Sequence, residues 1–193
     1  MSIKGLFADF RDYVSLRSEP EVRDFFADFD WPNVERNVVS NTLPCVQYLD
    51  NAEQYSKGAE QRLVRSFVQN LSNLQWLQSF TAADFGQGFV DNYGFVELMG
   101  PRGHFDSSAM SGGILLIGPG QHFPSHHQVA EELLIPLTNG AYWMRDGGPF
   151  QERQAGEVIL HESNETHAIE TPASPLLALY AWRDGDLSQK PSY

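Results

Sequence analysis

Along the first third of the chain the apolar positions recur every third or fourth residue. Ile3, Leu6, Phe7, Phe10 and Val14 share one helical face. Ser18-Glu19-Pro20-Glu21 reads as a capping box with an early proline, opening a second short helix that carries Val22, Phe25, Phe26 and Phe29 until Trp31-Pro32 stops it. A polar link at Asn33–Asn41 comes next, and Pro44 opens another short helical segment. Ala59–Phe80 then places Leu63, Phe67, Leu71, Leu74 and Leu77 at helical spacing. Residues 1–81 are therefore expected to form an α-helical N-terminal layer packed on the C-terminal part of the chain.

From about Phe85 the period shortens and glycines punctuate it. Gly88-Phe89-Val90, Tyr93–Met99, Gly112–Ile117, Glu132–Leu137, Ala141–Met144, Glu157–Leu160 and Leu176–Trp182 read as short strands, with turn chemistry at Asn139-Gly140, Asp146-Gly147-Gly148 and Gln154-Ala155-Gly156. Many short strands at this spacing predict an antiparallel sandwich or barrel over residues 82–193. The stretch Arg183–Tyr193 reads as an exposed end.

Composition narrows the function classes. The 25 acidic residues outnumber the 13 basic ones, and a net charge of −12 has the wrong sign for tracking nucleic-acid phosphates or anionic lipid. No run of about 18 apolar residues is present, and MSIKGLFADFRDYV is an amphipathic pattern broken by charges, so a cytoplasmic location without a membrane span is expected. Cys45 is the single cysteine, which rules out an internal disulfide or a thiolate cluster; any metal must be held by His, carboxylate or amide. Cys45 is expected to pack as a small hydrophobe.

The candidate chemistry concentrates in Gly120–Gly140 and Gly156–Thr171. On a strand, side chains alternate faces, so His126, Gln128, Glu132 and Leu134 fall on one side and His127 and Glu131 on the other. The first set gives Gly-x5-His-x-Gln-x3-Glu; the second stretch gives Gly156-x5-Glu162-x-Asn164-x2-His167. Alternate residues of one strand, a carboxylate just after it and a histidine from a distant strand can converge inside a barrel, and imidazoles with one carboxylate suit a divalent first-row ion such as Zn, Fe, Mn or Ni. The metal candidates are His126, Gln128, Glu132 and His167. His127-x3-Glu131 is the alternative register.

These two patterns resemble the paired motifs of the cupin superfamily, with substitutions. The resemblance implies a double-stranded β-helix, or jelly-roll, barrel. A narrower one rests on Gly118-Pro119-Gly120, Pro124-x-His126-His127, Ala130-Glu131-Glu132, Gly156-Glu157-Val158, His167-Ala168 and LLALYAWRDGDL at Leu176–Leu187. Over roughly Asp84–Leu187 the chain resembles the bacterial cupin-type dimethylsulfoniopropionate (DMSP) lyases, which join a helical N-terminal part to a cupin barrel. They cleave DMSP to dimethyl sulfide and acrylate. The family pattern Y-P-x-H-x-H-x-A-x-E-x-Y carries metal ligation over to His126, Glu132 and His167, and a pocket tryptophan to Trp182.

Three positions depart from it: Phe123 and Leu134 replace tyrosines, the latter the family base, and Gln128 replaces a histidine ligand. The resemblance implies β-elimination in which a metal holds the substrate carboxylate and a base removes the adjacent proton. Trp182 and Tyr180 can face a sulfonium cation, with Phe123 and Leu134 as further substrate-side positions. Tyr93, Tyr142 and His122 are the catalytic candidates in place of the missing phenol, with Tyr180 and His161 as further candidate bases. His104, in a Gly/Ser-rich loop, is expected at the surface. The same architecture also suits another isomerase, dioxygenase or lyase with a different small substrate, or a non-catalytic binding protein. The aromatic residues Phe25, Phe26 and Phe29 are expected either to cap the barrel or to form a homodimer face.

Overall fold

The computed structural model describes residues 2–193. Helix α1 (Ile3–Ser15) is capped by the Ser2 hydroxyl, which accepts from the Gly5 amide, and buries the apolar face expected of it. Helix α2 (Pro20–Phe25) has Pro20 in its first turn. The capping box predicted at Ser18 does not form: Glu19 occupies the cap position, and its carboxylate is held by Arg17 at 2.6 Å instead. Phe25, Phe26, Phe29 and Trp31 fold onto one another and onto the core, so these aromatics cap it from within the chain.

A 3₁₀ segment, Pro44–Tyr55, leads to helix α3 (Gly58–Val68). The predicted Ala59–Phe80 helix ends there. Asn70-Leu71-Ser72-Asn73 favours local side-chain bonds over helix continuation, and Asn70 donates back to the Ser66 carbonyl at 2.8 Å. The chain then extends as strand β1 (Trp76–Leu77), because Asn41 brackets Trp76 through its carbonyl and amide at 3.0 and 2.6 Å. Helices α4 (Ala82–Phe85) and α5 (Gln87–Val90) come next, α4 with a Thr81/Asp84 capping box, and Gly86 at φ +83° makes the bend between them. Gly88-Phe89-Val90 is thus helical where a strand is predicted from the sequence; Phe89 still points into the core.

The strands are β2 (Tyr93–Gly100), β3 (Phe105–Asp106), β4 (Met110–Ile117), β5 (Gln121–His126), β6 (Glu131–Pro136), β7 (Ala141–Arg145), β8 (Gln151–Arg153), β9 (Ile159–His161), β10 (His167–Thr171) and β11 (Leu176–Arg183). They form two sheets, one in the order β1-β2-β4-β11-β6-β9 with β3 beside β2, the other β5-β10-β7-β8. All the pairs are antiparallel except β2 with β3. The sheets face each other without closing into a continuous barrel, the double-stranded β-helix arrangement.

The larger sheet is buried on both faces. Its outer face, through Val96, Leu98, Ile114, Leu116, Leu133, Leu177 and Leu179, packs on the helices; its inner face, through Tyr93, Phe95, Leu115, Leu134 and Tyr180, meets Phe123, Trp143 and Ile169 of the smaller sheet. Cys45 is fully buried, as expected. Among the described residues no helix is long and apolar enough to cross a membrane.

Two expectations are corrected. His104 is 3% exposed: its ring accepts from the Gln75 amide and its carbonyl from the Arg36 amide, drawn in by the tight turn at Gly103. The terminal residues are not a free end either. Ser192 exchanges two 2.9 Å backbone hydrogen bonds with His127, and Lys190 and the Tyr193 hydroxyl both reach Asp84, at 2.8 and 2.9 Å.

Candidate active site and metal centre

Side chains keep alternating faces across the break between β5 and β6. His126, Gln128, Glu132 and Leu134 are buried, whereas His127 is half-buried in its bridge to Ser192 and Glu131 pairs outward with Arg183 at 2.9 Å. Strand register supplies the rest. β10 sets His167 opposite His126, and β9 sets His161 opposite Glu132. Side chains from both sheets therefore meet at one end of the space between them.

Glu132 is the hub. Its Oε1 accepts from the Trp182 indole at 2.8 Å, and its Oε2 accepts from the Gln128 amide at 3.2 Å and lies 3.2 Å from His167 Nε2. The His167 ring is 4.3 Å from that of His126 and stacks on that of His161 at 3.9 Å. Each histidine has Nδ1 engaged by an acceptor: the Pro124 carbonyl for His126 at 2.8 Å, the Glu165 carboxylate for His161 at 3.2 Å, and the Glu165 carbonyl for His167 at 3.1 Å. Acceptors there fix the proton on Nδ1 and turn Nε2 toward the cluster. The 3.2 Å contact between His167 Nε2 and Glu132 brings an imidazole nitrogen and a carboxylate oxygen together at the cluster.

Electrostatics favour ligation over protonation. Burial, then the charge of His167, pushes His126 down to about 3; the same two causes lower His161. Burial would raise the Glu132 carboxyl, but the hydrogen bond from His167, the neighbouring histidines and Trp182 outweigh it and hold it at about 2. At His126 and His161 the cluster thus sets neutral imidazoles beside a carboxylate near pH 7.

The donor set fits a divalent ion. Ligand atoms of Glu132, His161 and His167 all lie within 4.8 Å of one another. Among the described residues His161 Nε2 and Gln128 Oε1 are buried with no hydrogen-bond partner, and the imidazole lone pair is one that a cation would satisfy. The sequence reading places His161 among candidate bases; the strand register, which spacing alone does not reveal, brings it to the residues that could hold a metal.

Above the cluster opens a cavity lined by Phe80, Tyr93, Phe95, Arg102, Ser111, Leu115, Phe123, His126, Glu132, Leu134, His167, Ile169, Tyr180, Trp182 and Pro191. Of the sequence-predicted residues, Tyr93, Phe123, Leu134, Tyr180 and Trp182 are all there. Tyr142 and His122 are not. Tyr142 lies partly exposed on β7 opposite Glu170 and Glu152, and His122 is exposed beside Glu170 at 3.2 Å. Arg102 was missed because nothing local marks it. It reaches the cavity only through the buried Glu97, which holds its side chain at 3.0 Å and its amide at 2.6 Å.

A family model for DMSP lyase matches residues 18–178, most of the chain. The chain belongs to the DMSP lyase family. A DddL protein of Cereibacter sphaeroides assigned as a DMSP lyase is 28% identical over 128 residues, 65% of this chain and 53% of the relative; the match spans about half of that protein's length. The solved DMSP lyase DddQ from Ruegeria pomeroyi DSS-3 superimposes with a TM-score of 0.88 at 25% identity, covering 98% of this chain and 94% of that one. A structure from the work on the DMSP lyases RdDddP and RnDddQII gives 0.87 at 27% identity, over 98% and 95%. In this DMSP lyase family member the position expected to carry the tyrosine base is Leu134, a buried wall of the cavity.

Proposed function

We propose that the protein cleaves DMSP to dimethyl sulfide and acrylate at the aromatic cavity, using a divalent ion held at the Glu132–His167 end of it. The observation that carries the reading is the junction of the two halves of the site. Glu132 sits in the metal cluster and accepts from Trp182 of the aromatic wall at 2.8 Å.

When bound, the ion supplies Lewis acidity toward the substrate carboxylate, acidifying the adjacent C–H. The residues of the chain do the rest. Phe95, Tyr180 and Trp182 offer ring faces to a sulfonium, an attraction of roughly 0.5–2 kcal/mol per ring, and the apolar walls exclude water. The base takes the proton from the carbon next to the carboxylate; the C–H pair becomes the C=C bond of acrylate, and the C–S pair departs with dimethyl sulfide.

Tyr180 stands opposite Leu134 in the β6–β11 register, the pocket phenol nearest in topology to the missing one, and we assign this proton to its phenolate, which must first give up its own proton to solvent and returns to phenol in the step; Tyr93 is the other pocket phenol. Burial raises both phenols, Tyr93 to about 12, and the Arg102 guanidinium opposes the rise in each.

Headspace gas chromatography tests this. Purified protein supplied in turn with Zn, Fe, Mn or Ni and with DMSP should release dimethyl sulfide, with His167→Ala silent and Tyr180→Phe slower by about 100-fold or more. No release with any of the four metals refutes it. Leu134 favours one alternative, a metal-dependent enzyme of the same architecture acting on another small molecule; stoichiometric metal in a protein inert toward DMSP would select it.

A further inference from the structure

Position 128, where the family pattern has an imidazole, carries an amide whose Nε2 is committed to Glu132 at 3.2 Å. An imidazole nevertheless enters the cluster from the opposite side. His161 lies directly across from Glu132 in the β6–β9 ladder, where facing residues share one surface of the sheet, and its ring stacks on His167 at 3.9 Å. We propose that His161 is the metal ligand that replaces the imidazole missing from position 128, and that Gln128 serves to position the Glu132 carboxylate. This rests on the reading of the site as a metal centre, and not on the identity of the substrate.

The supporting arm is built for it. Glu165 only accepts at neutral pH, so its 3.2 Å contact with His161 Nδ1 places the proton there and leaves Nε2 as the atom His161 can offer. That Nε2 is buried without a partner. Glu165 is itself fixed, by an ion pair with Arg145 and by the Glu162 amide at 3.0 Å. A carboxylate behind a histidine, with a further group behind the carboxylate, is the usual way a protein orients a ligating imidazole. The turn that carries Glu165 is anchored to the segment of the altered residue, since the Asn164 amide, at φ +61°, donates to the Gln128 carbonyl at 2.8 Å. Loss of the imidazole at 128 and its provision from 161 thus occur in two segments that touch.

The test is Zn(II) titration into metal-free full-length protein, with bound ion measured by mass spectrometry and Co(II) as a spectroscopic probe. His161→Asn, which keeps a donor for Glu165, should lose Zn(II) affinity by more than the roughly 10–100-fold typical of an outer hydrogen-bond partner, and should alter the visible Co(II) bands. Glu165→Gln should fall within that range, and Gln128→Leu should cost less than either. Adding Gln128→His to His161→Asn should restore binding. Wild-type Zn(II) affinity in His161→Asn, or abolition of binding by Gln128→Leu alone, overturns the proposal. If His161→Asn fails to fold, as judged by circular dichroism, the order of Glu165→Gln and Gln128→Leu decides. A protein that binds Zn(II) through His161 but releases no dimethyl sulfide refutes the reaction assigned above and leaves this assignment intact; a wild-type protein that takes up no Zn(II) overturns this assignment.

Discussion

Four buried side chains, His126, Glu132, His161 and His167, make up the cluster of the candidate site, and three of them make folding sensitive to acid. Burial lowers His126 to about 3 from an ordinary 6.5 and lowers His161 as well, so the unfolded chain binds protons that the folded chain refuses. Their contribution to stability is complete above about 6.5 and declines as pH falls through that value. Glu132, held at about 2 against 4.5, adds a further loss below about 4.5, in the same direction. The melting temperature of the metal-free protein should therefore fall as pH drops through about 6.5 and keep falling to about 5; a flat profile would show that these groups do not titrate as their surroundings dictate. At this scale the sequence was informative where parity sufficed, for His126, Gln128, Glu132 and Leu134. It offered His161 only as a candidate base and passed over Arg102, whose places depend on a β9 register and on a buried Glu97 that no spacing encodes.

Elements were legible in proportion to how local their causes are. α1 follows from its apolar stripe and the Ser2 cap. β4 and β11 were read as short strands, and both are buried along most of their length because helices cover one face and the smaller sheet the other. The misread segments were those that long-range partners decide. Asn41 draws Trp76 into a strand, and the segment 188–193 is held by Asp84, remote in sequence. The Lys190 ammonium, then the Thr81 amide and the Tyr193 hydroxyl, hold the Asp84 carboxyl below its ordinary range. Because Pro191 lines the cavity, this clasp fixes part of its wall. Asp84→Asn should speed hydrogen exchange at the His127 and Ser192 amides with little change elsewhere; unchanged exchange would mean that the backbone bridge alone holds the segment.

For the whole molecule, two sequence patterns in register pointed to the double-stranded β-helix, and the family match extends that reading over residues 18–178. The N-terminal helices share one continuous core with the outer face of the larger sheet. An ion bound to the folded state alone stabilises it by mass action. Zn(II) at about 100 times its dissociation constant should add about 2.7 kcal/mol, which for a chain of this size is roughly 5–10 °C in melting temperature. A chelator should reverse the shift, and calorimetry with and without it checks the sign.

The cluster also has a mechanical consequence. His126 and His167 stand on the smaller sheet, Glu132 and His161 on the larger one. An ion held by His167 together with Glu132 and His161 would tie the two sheets like a rivet, so that prising them apart would require coordination to break. Metal supply would then set how long each molecule survives proteolysis as well as whether it turns over substrate.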